Sequence, residues 1–163
     1  MKHTVLILTL VVSLSAMAQN KKVSSKDLQP LVGSWAGQLT YLDYSDNKAV
    51  GIKASLMVKK KNENFYQFNF SYPDEPGQSS RDDYNINKKG TMIGDKMIIE
   101  RSVQEDSSLK IVLEENGKDG NDQKPATFRS VMIITKKTFT VTKLVRFDGE
   151  DKFFQRHQYS FSR

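Results

Sequence analysis

The chain of 163 residues contains no cysteine. That absence excludes a disulfide framework, a thiolate nucleophile, a Cys-ligated metal and a lipid-modified cysteine. No segment keeps a helical hydrophobic period, which argues against a helix bundle. The longest apolar run, Val5 to Leu14, is shorter than the roughly 20 residues a membrane-spanning helix requires. The sequence also lacks a Gly-x-Ser-x-Gly elbow, a His-Glu-x-x-His zinc pair and a phosphate-cradling glycine loop. Without such motifs no catalytic residue is assigned, and the chain is not read as an enzyme.

The N-terminus has a short basic start at Lys2 and His3, the apolar run, and small residues at Ala16 and Ala18. This Ala-x-Ala arrangement is what a signal peptidase cleaves. The expectation is a secretion signal over residues 1–18 cut near Ala18, a lead-in segment over 19–30, and one domain over 31–163. A chain of about 150 residues buries about 68–70% of its unfolded surface, enough for an independent core. An exported domain that dispenses with disulfides points to a bacterial periplasmic or secreted protein. The formal charge is +6, but the lysines sit mainly in turns without a stripe of stacking aromatics. Nucleic acid is therefore not an expected partner.

Short alternating runs separated by turn-forming clusters recur along the rest of the chain, the pattern of an all-β antiparallel fold. The strands read as Val32–Tyr44, Val50–Lys60, Asn64–Tyr72, Asp82–Asn87, Gly90–Ile93, Lys96–Gln104, Ser108–Asn116, Ala126–Thr135, Thr138–Asp148 and Asp151–Arg163. Splitting Gly90–Gln104 at Gly94-Asp95 makes the count ten. Ten strands let the last run antiparallel to the first, closing an up-and-down barrel and removing exposed edges. The predicted architecture is a closed barrel of eight to ten strands, ten preferred. Its turns at one end are short and bear lysine, whereas the loops at the other, including Pro73–Arg81 and Gly117–Pro125, are longer and richer in Asp, Glu and Gly. That asymmetry suits a ligand-binding cup.

Alternation sorts side chains into faces. Trp35, Leu39, Tyr41, Tyr66, Phe68, Phe70, Met97, Ile99 and Val103 fall on the inward side, as do Phe153, His157, Tyr159 and Phe161; Ala126–Thr135 is ambiguous because both faces are apolar. Three cations share inward parity: Arg101, Lys143 and Arg163. A buried charge needs a partner, a ligand or water. Lys143 or Arg101, with hydroxyls from Tyr41, Tyr66 or Tyr159, could hold the carboxylate of an otherwise apolar ligand. The alternative is that they pair internally or reach out at the rim. Arg163 is expected near Trp35, where guanidinium over indole would close one end.

Gly33-Ser34-Trp35, at the start of the first strand, carries a Gly-x-Trp. Together with the ten-strand pattern it resembles the calycin superfamily, and within it a bacterial lipocalin-like secreted domain. The resemblance covers the mature chain in architecture, but only Gly33, Trp35 and Arg163 in motif. It implies a non-catalytic carrier of a small, partly apolar, anionic ligand, with Tyr41, Tyr66, Arg101, Lys143, His157 and Tyr159 as candidate contacts. It implies no cofactor or metal, and no transmembrane segment in the mature chain. Phe154-Gln155-Arg156-His157 also resembles the late strand of nitrobindin-like barrels, which would make His157 a heme ligand. The late Arg-x-Tyr pair of fatty-acid-binding proteins is replaced here by His157-x-Tyr159. A competing reading is a solid-cored barrel whose mouth or wall binds a protein or an envelope component.

Overall fold

The computed structural model describes residues 21–43, 48–75 and 77–163; the expected secretion signal lies outside them. A single helical turn, α1 (Ser25–Leu28), continues into a 3-10 turn (Gln29–Leu31). Ten strands follow: β1 (Gly33–Leu42), β2 (Ala49–Lys60), β3 (Phe65–Ser71), β4 (Ser79–Asn85), β5 (Met92–Ile93), β6 (Lys96–Val103), β7 (Leu109–Asp119), β8 (Lys124–Ile134), β9 (Thr138–Phe147) and β10 (Phe154–Ser162). All pair antiparallel, in the order β4-β3-β2-β1-β10-β9-β8-β7-β6-β5. The ends of this sheet meet through an isolated bridge between Ile86 and Ile93. The chain is thus an antiparallel up-and-down barrel, closed except along the seam between β4 and β6. The ten-strand count depends on Gly94, whose φ of +57° suits glycine and lets the chain reverse between β5 and β6.

Two irregularities shift the predicted faces. A β-bulge between Ile98 and Glu100 resets the alternation of β6. Ile98 is therefore buried while Met97 is 58% exposed, reversing the predicted inward place of Met97; Val103 keeps the inward face, paired with Leu109, but is 65% exposed at the end of its strand. A second bulge, between Gln155 and His157, puts Phe154 with the interior residues Ala126, Phe128 and Val145. Phe153 instead lies under the guanidinium groups of Arg129 and Arg146, 4.2 and 4.9 Å from its ring centroid. The Gly117–Pro125 segment is mostly strand: β7 and β8 stay paired to Asp119 and Lys124, so the predicted long loop is a tight turn. On β8 the even positions Ala126, Phe128, Met132 and Ile134 are buried, which resolves its two apolar faces.

The N-terminal turns plug one end. Leu28 and Leu31 are fully buried and join the main core with Trp35, Phe68, Phe139 and Phe161. Full burial of a Leu contributes about 1.5–3 kcal/mol, so the plug is part of the fold. Polar contacts fix its position: Val23 N–H donates to the Gly90 carbonyl at 2.8 Å, and Tyr66 Oη to the Ser25 carbonyl at 2.8 Å. Above the plug, β1 and β10 approach so closely at Gly37 that a Cβ there would run into the Ser160 carbonyl. Gly37→Ala is expected to cost about 3 kcal/mol in urea unfolding; a loss under about 1 kcal/mol would show that the two strands can separate freely.

Candidate ligand-binding site

The strand registers bring four polar residues into one row. Tyr41 of β1 pairs with His157 of β10, His157 with Lys143 of β9, and Lys143 with Ser130 of β8. Directly paired residues project to the same face of a sheet, and here that face is the interior. The next row towards the plug is Leu39, Tyr159, Val141 and Met132, and below it Phe161 and Phe139 are almost completely buried. Towards the mouth stand Phe128, Val145 and Phe154. The polar row therefore lies between two apolar belts.

Its members are half-buried, and none of their side chains forms a hydrogen bond or an ion pair with another described residue. The Lys143 ammonium lies 4.0 Å from the centroid of the Phe128 ring, and His157 meets Tyr159 edge-on at 5.6 Å. No fully buried side-chain N or O lacks a partner among the described residues, so solvent reaches the row's polar atoms from the mouth. The neighbouring polar side chains are already paired. Tyr159 and Tyr72 share a 2.6 Å hydrogen bond, Arg156 holds Asp119 at 2.6 Å, and Lys96 holds Glu115 at 3.1 Å.

Burial, with the charges of Lys143 and Arg156, pushes the His157 imidazole down to about 4. It is neutral at pH 7 and can donate or accept one hydrogen bond. Tyr159 is pushed up by burial and by its bond to Tyr72, so its hydroxyl keeps its proton. Across the barrel, Asp82 of β4 is on the same face as buried Tyr84. Its side chain is solvent-exposed, yet the protein packed beside it raises its carboxyl, despite the opposing pull of Lys96. A shallow opening of about 270 Å³, lined by residues 81–84 and 93–96, marks the seam there.

The predicted site residues divide between the two ends of the barrel. Tyr41, Lys143, His157 and Tyr159 gather in the open half, though the Tyr159 hydroxyl is engaged by Tyr72. Tyr66 and Arg101 do not join them. Tyr66 is fully buried against the plug, and Arg101 binds Asp27 of α1 at 2.6 Å. Burial pushes the Asp27 carboxyl up, but bonds from Arg101 and Ser24 outweigh it and the net shift is downward. Both residues are anchors of the plug, because the lead-in segment folds back beneath the barrel. Arg163 lies over Trp35 at 4.1 Å and donates to the Pro30 and Val32 carbonyls, while Gly33 opens β1 beside it. Ser130 is not legible in the sequence because β8 is apolar on both faces; Tyr72 is inward by alternation, but its bond to Tyr159 is not.

The row offers a cation, two hydroxyls and a neutral imidazole beside apolar walls. This set can bind a carboxylate or similar anion attached to an apolar body. Among the described residues no group of three or more His, Asp or Glu side chains is arranged to hold a metal, and no helix is long and apolar enough to cross a membrane.

The pH dependence of His157 gives a direct check on its environment. Its folded pKa of about 4 lies below the ordinary 6.5, so on acidification the unfolded chain takes up the proton first. Stability from this group is complete above pH 6.5, declines as pH falls towards 4, and levels off below. His157→Gln is expected to abolish that decline, worth up to about 3 kcal/mol. Parallel unfolding curves for the two proteins between pH 7 and 4 would place the imidazole in water instead.

No family model matches the chain, and no curated protein matches it in sequence. Among solved structures, the crystal structure of Rv2717c from M. tuberculosis is similar with a TM-score of 0.59 at 15% identity, covering 84% of this chain and 96% of that one. The S-type phycobiliprotein lyase CPES from Guillardia theta gives 0.49 at 8% identity, over 88% of this chain and 94% of the other. A redesigned beta barrel gives 0.42 at 9% identity, over 87% and 97%. At 15% identity the likeness to Rv2717c is one of fold. The class defined is an antiparallel, up-and-down β-barrel with one end plugged by the N-terminal turns.

Proposed function

We propose that the protein is an exported, non-catalytic carrier or scavenger of a small, partly apolar, anionic molecule held in the open half of the barrel. One observation carries the reading: Tyr41, His157, Lys143 and Ser130 form a continuous interior row with no polar partner among the described residues. Half-buried over the Phe128 ring and with no described counter-charge of its own, Lys143 is placed to meet an anion. Buried Trp35, Phe68, Phe139 and Phe161 occupy the half nearer the plug, so the ligand's place is the mouth half, with its anion at Lys143 and its apolar part against Phe128, Val145 and Phe154. Compartment and the absence of catalysis rest on the N-terminal signal pattern and the missing motifs.

Mass spectrometry of an organic extract of the protein purified from its native host tests this. An amphipathic acid at near one equivalent is expected; an extract containing only neutral membrane lipid in traces would count against it.

The neutral His157 favours a second reading, heme ligation. The donor set fits in chemistry, with a neutral imidazole, aromatic neighbours and a cation able to meet a propionate. Heme would supply redox or gas-binding chemistry, and this chain's residues would only hold it. A Soret shift on heme addition that His157→Gln removes would favour it. The carrier reading is preferred because it uses all four members of the row.

A further inference from the structure

The plugged end carries charge that the ligand site does not use. Lysine doublets occupy positions 21–22, 60–61, 88–89 and 136–137, all exposed. The first precedes α1, and the others fall in the β2–β3, β4–β5 and β8–β9 turns. The up-and-down topology puts every second turn at the same end, so barrel closure gathers all four doublets around the plug. Exposed Lys26 and Arg163 join them. Opposing carboxylates are few, with Glu63 in one turn and Glu105 and Asp106 in another. None of Lys61, Lys88, Lys89, Lys136 and Lys137 is ion-paired with a described carboxylate. The mouth is more balanced: Asp74, Glu75, Asp95, Asp148, Glu150 and Asp151 stand there beside Lys53, Lys96, Lys118, Lys124 and Lys152, and Lys53 and Lys124 are held by Asp74 and Asp122.

The shape of the basic end selects among anionic partners. Its charges stand on the tips of turns arranged around a plug, with Lys22, Lys26, Lys88 and Lys89 rimming an open depression of about 610 Å³. Trp35 and Tyr66 are buried beneath it and Phe65 is only half-exposed, so no exposed ring of the described residues is offered for the stacking on bases that nucleic-acid sites use. Pro30 is exposed beside Lys26 and Lys60 at a shallow depression of about 330 Å³, and Val103 is 65% exposed. A face of separated lysines with scattered small apolar contacts matches an anionic bilayer surface, where each basic side chain adds attraction. We propose that the plugged end docks on membranes rich in anionic phospholipid and leaves the mouth, where charges of both signs are mixed, facing the aqueous phase.

Flotation of the purified protein with vesicles of phosphatidylcholine alone, or mixed with phosphatidylglycerol, tests the idea. Binding is expected only to the mixed vesicles, and it should be lost in 0.5 M salt, where screening lengths shrink to a few ångströms. Reversing one doublet, K88E/K89E or K136E/K137E, should lower the partition coefficient about tenfold or more, whereas reversing Lys118 and Lys124 near the mouth should not. Because the chain has no cysteine, Glu63→Cys and Glu150→Cys each accept a single environment-sensitive dye. A blue shift on vesicle addition at position 63 and none at 150 is expected. Equal binding to neutral vesicles, a shift at 150, or salt-sensitive binding to duplex DNA but not to vesicles would overturn the proposal. Ligand binding in the mouth is a separate measurement, so either proposal can fail alone.

Discussion

Trp35→Ala is expected to lower the unfolding free energy by about 3–5 kcal/mol, a large share of the 5–15 kcal/mol typical of a domain. Trp35 is 3% exposed and touches each part of the plugged end. Its ring packs 6.2 Å from Phe139 and lies under Arg163, and its indole N–H donates to the Leu31 carbonyl at 2.8 Å. Alanine would leave a cavity and a carbonyl with no donor, and would let the 3-10 turn lift away. Trp35→Phe keeps a ring but loses the donor, and a smaller cost of about 1–2 kcal/mol is expected. Because this is the sole tryptophan, circular dichroism should follow the urea titration. A loss under about 1 kcal/mol for the alanine variant would mean that the plug is held elsewhere.

The second large effect concerns function. Lys143→Met keeps the length and apolar stem of the side chain while removing the row's cation. Affinity for an amphipathic acid should fall about 30-fold, the scale of one charge-assisted hydrogen bond in a partly desolvated site. Stability should hold or rise slightly, since Lys143 pairs with no described carboxylate and methionine suits the apolar belts on either side. His157 should also titrate at higher pH in this variant, because the Lys143 charge helps to depress it. A variant that bound normally and left His157 unchanged would separate the row from the ligand.

Alternation and turn chemistry make the barrel legible in the sequence, down to the reversal at Gly94-Asp95. Where alternation breaks, the sequence misleads. Nothing in Lys96–Val103 announces the bulge that turns Ile98 inward and Met97 outward, because both faces carry apolar residues. Arg101 falls inward as parity expects, paired with Ile111, but parity does not contain its partner, Asp27 of the N-terminal turn. Tyr66 illustrates the same limit. Its inward face is legible, but its hydroxyl partner, Ser25, lies 41 residues away in a segment with no strand pattern.

The candidate site is half legible for a related reason. Tyr41, Lys143 and His157 stand out as polar residues on apolar faces, yet their adjacency is a matter of register, which parity within a strand does not fix. Ser130 becomes part of the row only through its pairing with Lys143. Tyr159 shares their face by alternation, but Tyr72 takes up its hydroxyl from across the barrel.

The most direct test of the carrier reading is equilibrium titration of delipidated protein with a dansyl-labelled fatty acid, for the natural chain, Lys143→Met and Lys60→Met. Saturable one-to-one binding is expected, weakened about 30-fold by the change at Lys143 and unaffected by the change at Lys60 on the plugged end. Absence of saturable binding in the natural chain, or equal affinity in all three proteins, would contradict a ligand site at the Tyr41–His157–Lys143–Ser130 row.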